Sequence, residues 1–252
     1  MIYAPIIESL GLPASARLDQ RVPKKLLLEQ GAPTAADKRQ IQDGIDELSW
    51  IAALKPTNIG VPIFRDLTRE YLEIAVLAAT LRTATKQARL VELIHRAIPY
   101  PVFLIAVNGD SATITLAHKR WSQGQHGAVV IEELRRTAPF KPDSPNALER
   151  SFLAGLSLSG LRMRDLFALY QGWIDRVVAL EASTISGAFE PPATPERSTA
   201  QREGLDQHAR LRREIATLRA QATKEKQVNR RVALNLEIKR LEAELAATAK
   251  TL

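Results

Sequence analysis

The chain has 252 residues, 45% hydrophobic and 25% charged, with no cysteine and a formal net charge of +7. That length suits one sizeable domain with an appendage, or two small ones, and the balance excludes both wholesale disorder and an integral membrane protein. The missing cysteines remove disulfides, thiolate metal sites and cysteine nucleophiles together and suit a reducing compartment.

Met1 to Pro5 lacks the basic start of a signal peptide, and a cytoplasmic location is expected. Leu10-Gly11-Leu12-Pro13 and Val22-Pro23-Lys24-Lys25 read as irregular or turn-forming. Ala35 to Leu48 places Ile41, Ile45 and Leu48 at helical spacing, with Thr34 as N-cap and Asp37 at the capping-box position. Ser49 to Leu54, closed by Lys55-Pro56, reads as a buried strand. Tyr71 to Thr80 is a nearly unbroken apolar run of the kind found in strands covered on both faces, with a helix as its competitor. This run and Pro99 to Val107 are the longest apolar stretches, and both are too short to span a bilayer.

Lys86 to Ala97 spaces Leu90, Val91, Leu93 and Ile94 along one helix face, and Pro99 ends it. Pro101 to Val107 and Ser111 to Leu116 flank Asn108-Gly109-Asp110, a strong hairpin signal because Asn and Gly tolerate the positive φ of tight turns. Gly127 to Glu132 predicts a further strand, and Asn146 to Leu158 and Met163 to Ala182 predict helices. The fold class is α/β (α+β): a mixed sheet flanked by helices over residues 1–186. Pro191, Pro192 and Pro195 mark a stiff linker, placed at 187–202.

Residues 203–252 then read as a basic, coiled-coil-like helix. Thr199 to Leu252 holds 12 Lys/Arg against 7 Asp/Glu, and the preceding residues 23 against 21. Leu211, Ile215, Leu218 and Ala222 form one apolar seam, and Leu234, Ile238, Leu241 and Leu245 a second, out of register with the first. A rod of about 45 residues reaches roughly 65–70 Å, too long to bury on a small domain. A protein partner, or a second copy, is therefore expected on Leu211, Ile215, Leu218, Leu234, Ile238, Leu241 and Leu245. Lys224, Lys226, Arg230 and Arg231 between the seams are the candidates for nonspecific contact with DNA phosphates, the solvated face of a helix being the simpler reading.

Chemistry is harder to find. His95, His118, His126 and His208 are scattered without metal-ligand spacing, so no metal site, cofactor or small-molecule substrate is assigned. Gly155-Leu156-Ser157-Leu158-Ser159-Gly160 has Ser159 where a nucleophile elbow needs glycine. No glycine-rich phosphate loop occurs. Trp50, Trp121, Trp173, Tyr71, Tyr100 and Tyr170 are not interleaved with cations as a base-stacking set would be. One enzymatic reading survives, a metal-dependent nuclease drawing on Asp46, Glu47, Lys55, Asp66, Glu70 and Glu73. Such a site needs a carboxylate on one strand and acid-x-Lys on the next, and Glu73-Ile74-Ala75 ends in alanine where lysine is required.

Leu10-Gly11-Leu12-Pro13, Val22-Pro23-Lys24-Lys25, Leu54-Lys55-Pro56-Thr57-Asn58-Ile59, Ala97-Ile98-Pro99-Tyr100-Pro101, Ala117-His118-Lys119 and the tail word from Lys224 through Arg230-Arg231 to Asn235 occur in this order along the chain. This ordered set resembles the bacterial and archaeal family of unknown function DUF4391. The family has no assigned activity or catalytic residues. Its members are typically encoded beside helicase-like ATPases and DNA methyltransferases in defence or restriction-type loci, which implies an accessory subunit of a DNA-handling complex.

Two expectations follow. In one, the protein is a noncatalytic adaptor whose α/β domain contacts DNA or an ATPase and whose C-terminal helix docks a partner, such an ATPase or a methyltransferase. In the other, it is a divergent Mg-dependent nuclease dimerised through that helix. A carboxylate cluster near Lys55 would favour the second, and dispersed acids the first.

Overall fold

The computed structural model describes residues 1–82, 86–124 and 129–252. Its elements are, in chain order, α1 (Ala4–Leu10), β1 (Arg17–Arg21), α2 (Lys24–Gln30), α3 (Ala35–Gly44), β2 (Ile45–Leu54), α4 (Pro56–Ile59), β3 (Phe64–Arg65) and β4 (Glu70–Tyr71). They continue with β5 (Ile74–Leu81), α5 (Gln87–Ala97), β6 (Val102–Asn108), β7 (Ser111–Trp121), β8 (Val129–Arg136), α6 (Ala147–Gly155), α7 (Leu166–Ser186), α8 (Pro195–Lys224) and α9 (Val228–Ala249). Two compact units result, Met1–Val177 and Val178–Leu252, the division falling inside α7 and ahead of the Pro-rich stretch.

A six-stranded mixed sheet, ordered β1-β2-β5-β6-β7-β8, organises the first unit. Only β5 and β6 run parallel; every other neighbouring pair is antiparallel. A parallel pair needs a crossover, and α5 supplies it. Alternation along the central strands sends Ala75, Leu77 and Ala79 of β5 and Val102 and Leu104 of β6 into a core shared with Leu27, Ile41, Leu90 and Ile94 from α2, α3 and α5. Their neighbours Ile74, Val76, Phe103 and Ile105 point to the opposite face and are also buried, which is why these strands read as unbroken apolar runs. On that face, Phe103 meets Trp173 edge to face at 5.0 Å. Gly31 is required where α2 approaches α5, because a Cβ there would come within 2.7 Å of both Ala97 Cβ and the Leu93 carbonyl.

The tight turn lies where the sequence places it: Asn108 pairs with Ser111, and Gly109 has φ of 60°. Thr34 caps α3, its Oγ1 accepting the Asp37 N–H at 3.1 Å. Several expectations need correction. The helix begun at Ala35 stops at Gly44, and Ile45 to Leu48 belong to β2, where tertiary pairing with β5 overrides the helical spacing. The segments read as irregular near Leu10 and Val22 are flanked by α1 and α2, each too short to show a helical period. The strand expected from Gly127 runs over Val129–Arg136, with Gly127 and Ala128 outside the described residues.

The second unit departs furthest from a single rod. Helix α8 starts at Pro195, capped by Thr194, and stops at Lys224; α9 begins at Val228, after three intervening residues. Glu225 and Gln227 have extended backbone, and the Glu225 carboxylate accepts the Gln227 N–H at 2.8 Å. The two helices run antiparallel: Gln207 bonds Glu244, Arg219 pairs with Glu242, and Gly204 lies against Leu252.

Tyr170 ties α7 to the sheet within the first unit. Its hydroxyl donates to the Val102 carbonyl and accepts the Ala117 N–H, both at 2.7 Å. Tyr170→Phe leaves that buried N–H without this partner and is expected to cost about 1–3 kcal/mol, read as a lower urea midpoint at unchanged slope.

Candidate functional site

All seven residues assigned to partner binding lie inside the helical hairpin. Leu211, Ile215, Ile238 and Leu241 are buried with Ala222, and Leu218, Leu234 and Leu245 pack against them. The seam expected to receive another chain is filled by this one, and its broken register reflects two helices folded onto each other rather than a stutter in one. What the fold leaves outward is the opposite side of α9. Val228, Val232 and Leu236, spaced by four, are 61%, 50% and 65% exposed, aligned along one helix face.

The four cations assigned to nucleic acid are brought together at the hairpin turn. Lys224, Lys226, Arg230 and Arg231 are all exposed, and none has a carboxylate partner among the described residues. Lys224 and Arg230 border a groove of about 660 Å³ together with Leu218, Ala233 and Leu234. Further along the hairpin, Arg219 is paired with Glu242, and Arg240 with Glu237 and Glu244. The turn therefore gathers four exposed cations that have no carboxylate partner among the described residues.

The acids of the nuclease reading are not assembled. Lys55 pairs with Glu73 at 3.1 Å, Glu70 with Arg65, and the Asp66 carboxylate accepts the backbone N–H groups of Thr68 and Arg69. Asp46 and Glu47 lie at the other end of β2 from Lys55. Pairing of Ile45 with Leu81 and Glu47 with Thr80 sets Thr80-Leu81-Arg82 opposite Asp46, with Arg82 3.6 Å away. Threonine and arginine therefore stand where acid-x-Lys would be needed. Among the described residues no three His, Cys, Asp or Glu side chains are grouped to hold a metal.

The serine stretch between Gly155 and Gly160 is structural. Ser157 and Ser159 share a hydrogen bond of 2.9 Å, and the Arg176 guanidinium donates to the carbonyls of Gly155, Gly160 and Gly172. Of the aromatics weighed as a stacking set, Tyr71, Tyr170 and Trp173 are completely buried, whereas Trp121 is partly exposed.

Folding builds two buried polar clusters that leave no trace in the sequence. His118 Nδ1 bonds the Tyr71 hydroxyl, its Nε2 bonds Gln171 Oε1 at 2.8 Å, and the Gln171 amide donates to Asp175 at 2.7 Å. The partners fix a neutral His118 that accepts at Nδ1 and donates at Nε2. Phe167 stacks on its ring at 5.0 Å, and Arg69 lies over Phe167 while pairing with Glu132. In the second cluster His95 is completely buried, with Nε2 2.9 Å from Thr115 Oγ1 and Nδ1 without a partner. Nearby, the buried Lys119 amine donates to the carbonyls of Ile98 and Tyr100 at 2.6 and 2.5 Å. Burial pushes the Lys119 amine down to about 7, while the two carbonyls favour its charged form. Desolvation lowers both histidines, His95 most, with the nearby Lys119 charge adding to it. His126 lies outside the described residues.

The model of DUF4391, a domain of unknown function, matches residues 10–245, spanning both units and the hairpin turn. The chain belongs to this family. Comparison of this DUF4391 protein with curated proteins and with solved structures gives no match. No helix among the described residues is long and apolar enough to cross a membrane.

Because His95 and His118 are held neutral when folded but titrate near about 6.5 when unfolded, the unfolded state binds more protons below that pH. Stability is therefore expected to fall as pH drops from about 7 to about 5.5. Urea midpoints across that range, compared with those of His118→Gln, measure the loss, and the variant's dependence should be shallower.

Proposed function

We propose that this DUF4391 protein is a noncatalytic accessory subunit of a DNA-handling complex of the restriction or antiviral defence type. In this reading the outer face of α9 docks a protein partner, a helicase-like ATPase or a DNA methyltransferase, and the hairpin turn contacts DNA phosphates. The observation that carries it is the row of Val228, Val232 and Leu236, exposed beside Lys226, Arg230 and Arg231 on a helix whose inner face is already filled. Isolated exposed aliphatics are ordinary, but three in line on one helix are the pattern by which helices engage a partner. Unpaired cations beside them add attraction for phosphate without sequence readout. The partner class comes from the company that the family keeps. The register of β2 against β5, with Thr80 and Arg82 facing Asp46, weighs against the nuclease alternative.

Two measurements test this. Val232→Glu combined with Leu236→Glu should leave helicity by circular dichroism unchanged and abolish co-purification with the products of the neighbouring genes. Retention of the partner by the double variant overturns the docking face. For DNA, fluorescence anisotropy with a duplex should show affinity falling with salt, and Arg230→Glu with Arg231→Glu should weaken binding by at least about tenfold at low salt and flatten the salt slope. An unchanged slope removes the turn from the DNA contact.

A further inference from the structure

The two edges of the six-stranded sheet are finished differently. Strand β1 is five residues long and exposed throughout, its register against β2 is broken between Arg17 and Gln20, and Asp19 has φ of 48°. A short, irregular, charged edge of this kind offers a second strand little to pair with. Strand β8, at the other edge, is eight residues long, has neither proline nor lysine, and carries the half-buried aliphatics Val129, Val130, Ile131 and Leu134. Among the described residues its backbone bonds β7 alone.

The register decides which backbone groups are left over. The Thr137 N–H donates to the Ile114 carbonyl of β7. Arg135 and Glu133, at alternate positions before it, turn their backbone groups to β7 as well, and Leu134 and Arg136 turn theirs to the open edge. Glu133 pairs with His118 and Ile131 with Lys119, so Glu132 is the residue that the bulge leaves unpaired.

An edge strand can be completed by a copy of itself running antiparallel about a two-fold axis. Axes at Glu132 or Glu133 would set a carboxylate against its own copy, and axes at Arg135 or Arg136 a guanidinium, which is unfavourable directly across a strand pair. Leu134 is the one uncharged residue in this run. An axis there sets Leu134 against Leu134, Arg136 against Glu132 and Arg135 against Glu133, opposite charges in every case. The groups that would meet are accessible. Arg136 is exposed and enters no ion pair among the described residues. Both Arg69 contacts with Glu132 fall on Oε2, which leaves Oε1 to accept from a second guanidinium.

We propose that β8 pairs with β8 of a second copy of this chain, antiparallel and centred on Leu134, joining the two sheets into one. Leu134 exchanges both of its outward backbone bonds with its counterpart, Arg136 and Glu132 exchange theirs across the axis, and each Arg136 guanidinium bridges to Glu132 of the other copy. Arg135 and Glu133, 2.6 Å apart within one strand, come opposite each other's counterparts on the second. This contact is separate from the outer face of α9 and does not rest on the role given to it.

The full-length chain, of 27.9 kDa, is expected to show twice that mass in sedimentation equilibrium at concentrations up to about 100 μM. Exchange of the Leu134 amide with solvent should slow as the chain is concentrated. Arg136→Glu puts like charges face to face on both sides of the axis and should raise the dissociation constant at least about tenfold, with circular dichroism unchanged. Adding Glu132→Arg to that variant opposes arginine and glutamate again and should bring the constant back toward its original value. Val232→Glu with Leu236→Glu, which removes the aliphatic row of α9, should leave the mass unchanged. A single-chain mass throughout the range overturns the proposal. So does a dimer that Arg136→Glu does not weaken, that the added Glu132→Arg does not restore, or that the α9 variant dissociates.

Discussion

The parallel pairing of β5 with β6 is the constraint on which the first unit depends. It cannot be closed by a tight turn, so the chain must leave the sheet, cross it as α5 and return. A pair placed in mid-sheet and buried on both faces then requires apolar cover above and below. Leu90, Leu93 and Ile94 provide part of it on one side, and Phe103 with Trp173 on the other. The crossover ends in a segment whose two prolines cannot donate, and the lysine that supplies hydrogen bonds there comes from β7, the next strand along. The unusual environment of Lys119 is thus a by-product of how the central pair is connected.

Much of this architecture could be read from local chemistry. Asn108-Gly109-Asp110 had to turn because few other residues accept positive φ, and Thr34 had to cap because its hydroxyl reaches a free N–H two residues into the helix. The misreadings share a cause. Ile45 and Leu48 satisfy a helical period and a buried strand equally, and only the partner strand β5 decides between them. In the tail, the apolar spacing shows two mismatched seams, but composition alone cannot tell a continuous polar segment from a reversal. Glu225 and Gln227 make it a reversal through backbone geometry that no residue type demands there.

Site residues were legible to a different degree. The basic word Lys224 to Arg231 was visible because its residues are adjacent. The Tyr71–His118–Gln171–Asp175 chain was not, since it joins β4, β7 and α7 across as many as 104 positions in sequence with no spacing rule to reveal it. Glu73-Ile74-Ala75 is the start of β5, but the antiparallel register carries the far end of that strand, Thr80 to Arg82, to Asp46. Knowing that two strands pair does not say which residues meet.

The closed hairpin changes the thermodynamics of recognition. A lone amphipathic rod with an empty seam would have to fold or dimerise as it bound, surrendering chain entropy in the act. Here the inner seam is complete within one molecule, so the outer side of α9 is already helical and its aliphatic row already spaced before any encounter. Association on such a preorganised surface has little ordering entropy to overcome, and its heat-capacity change should report only the area covered, without the larger signature of coupled folding.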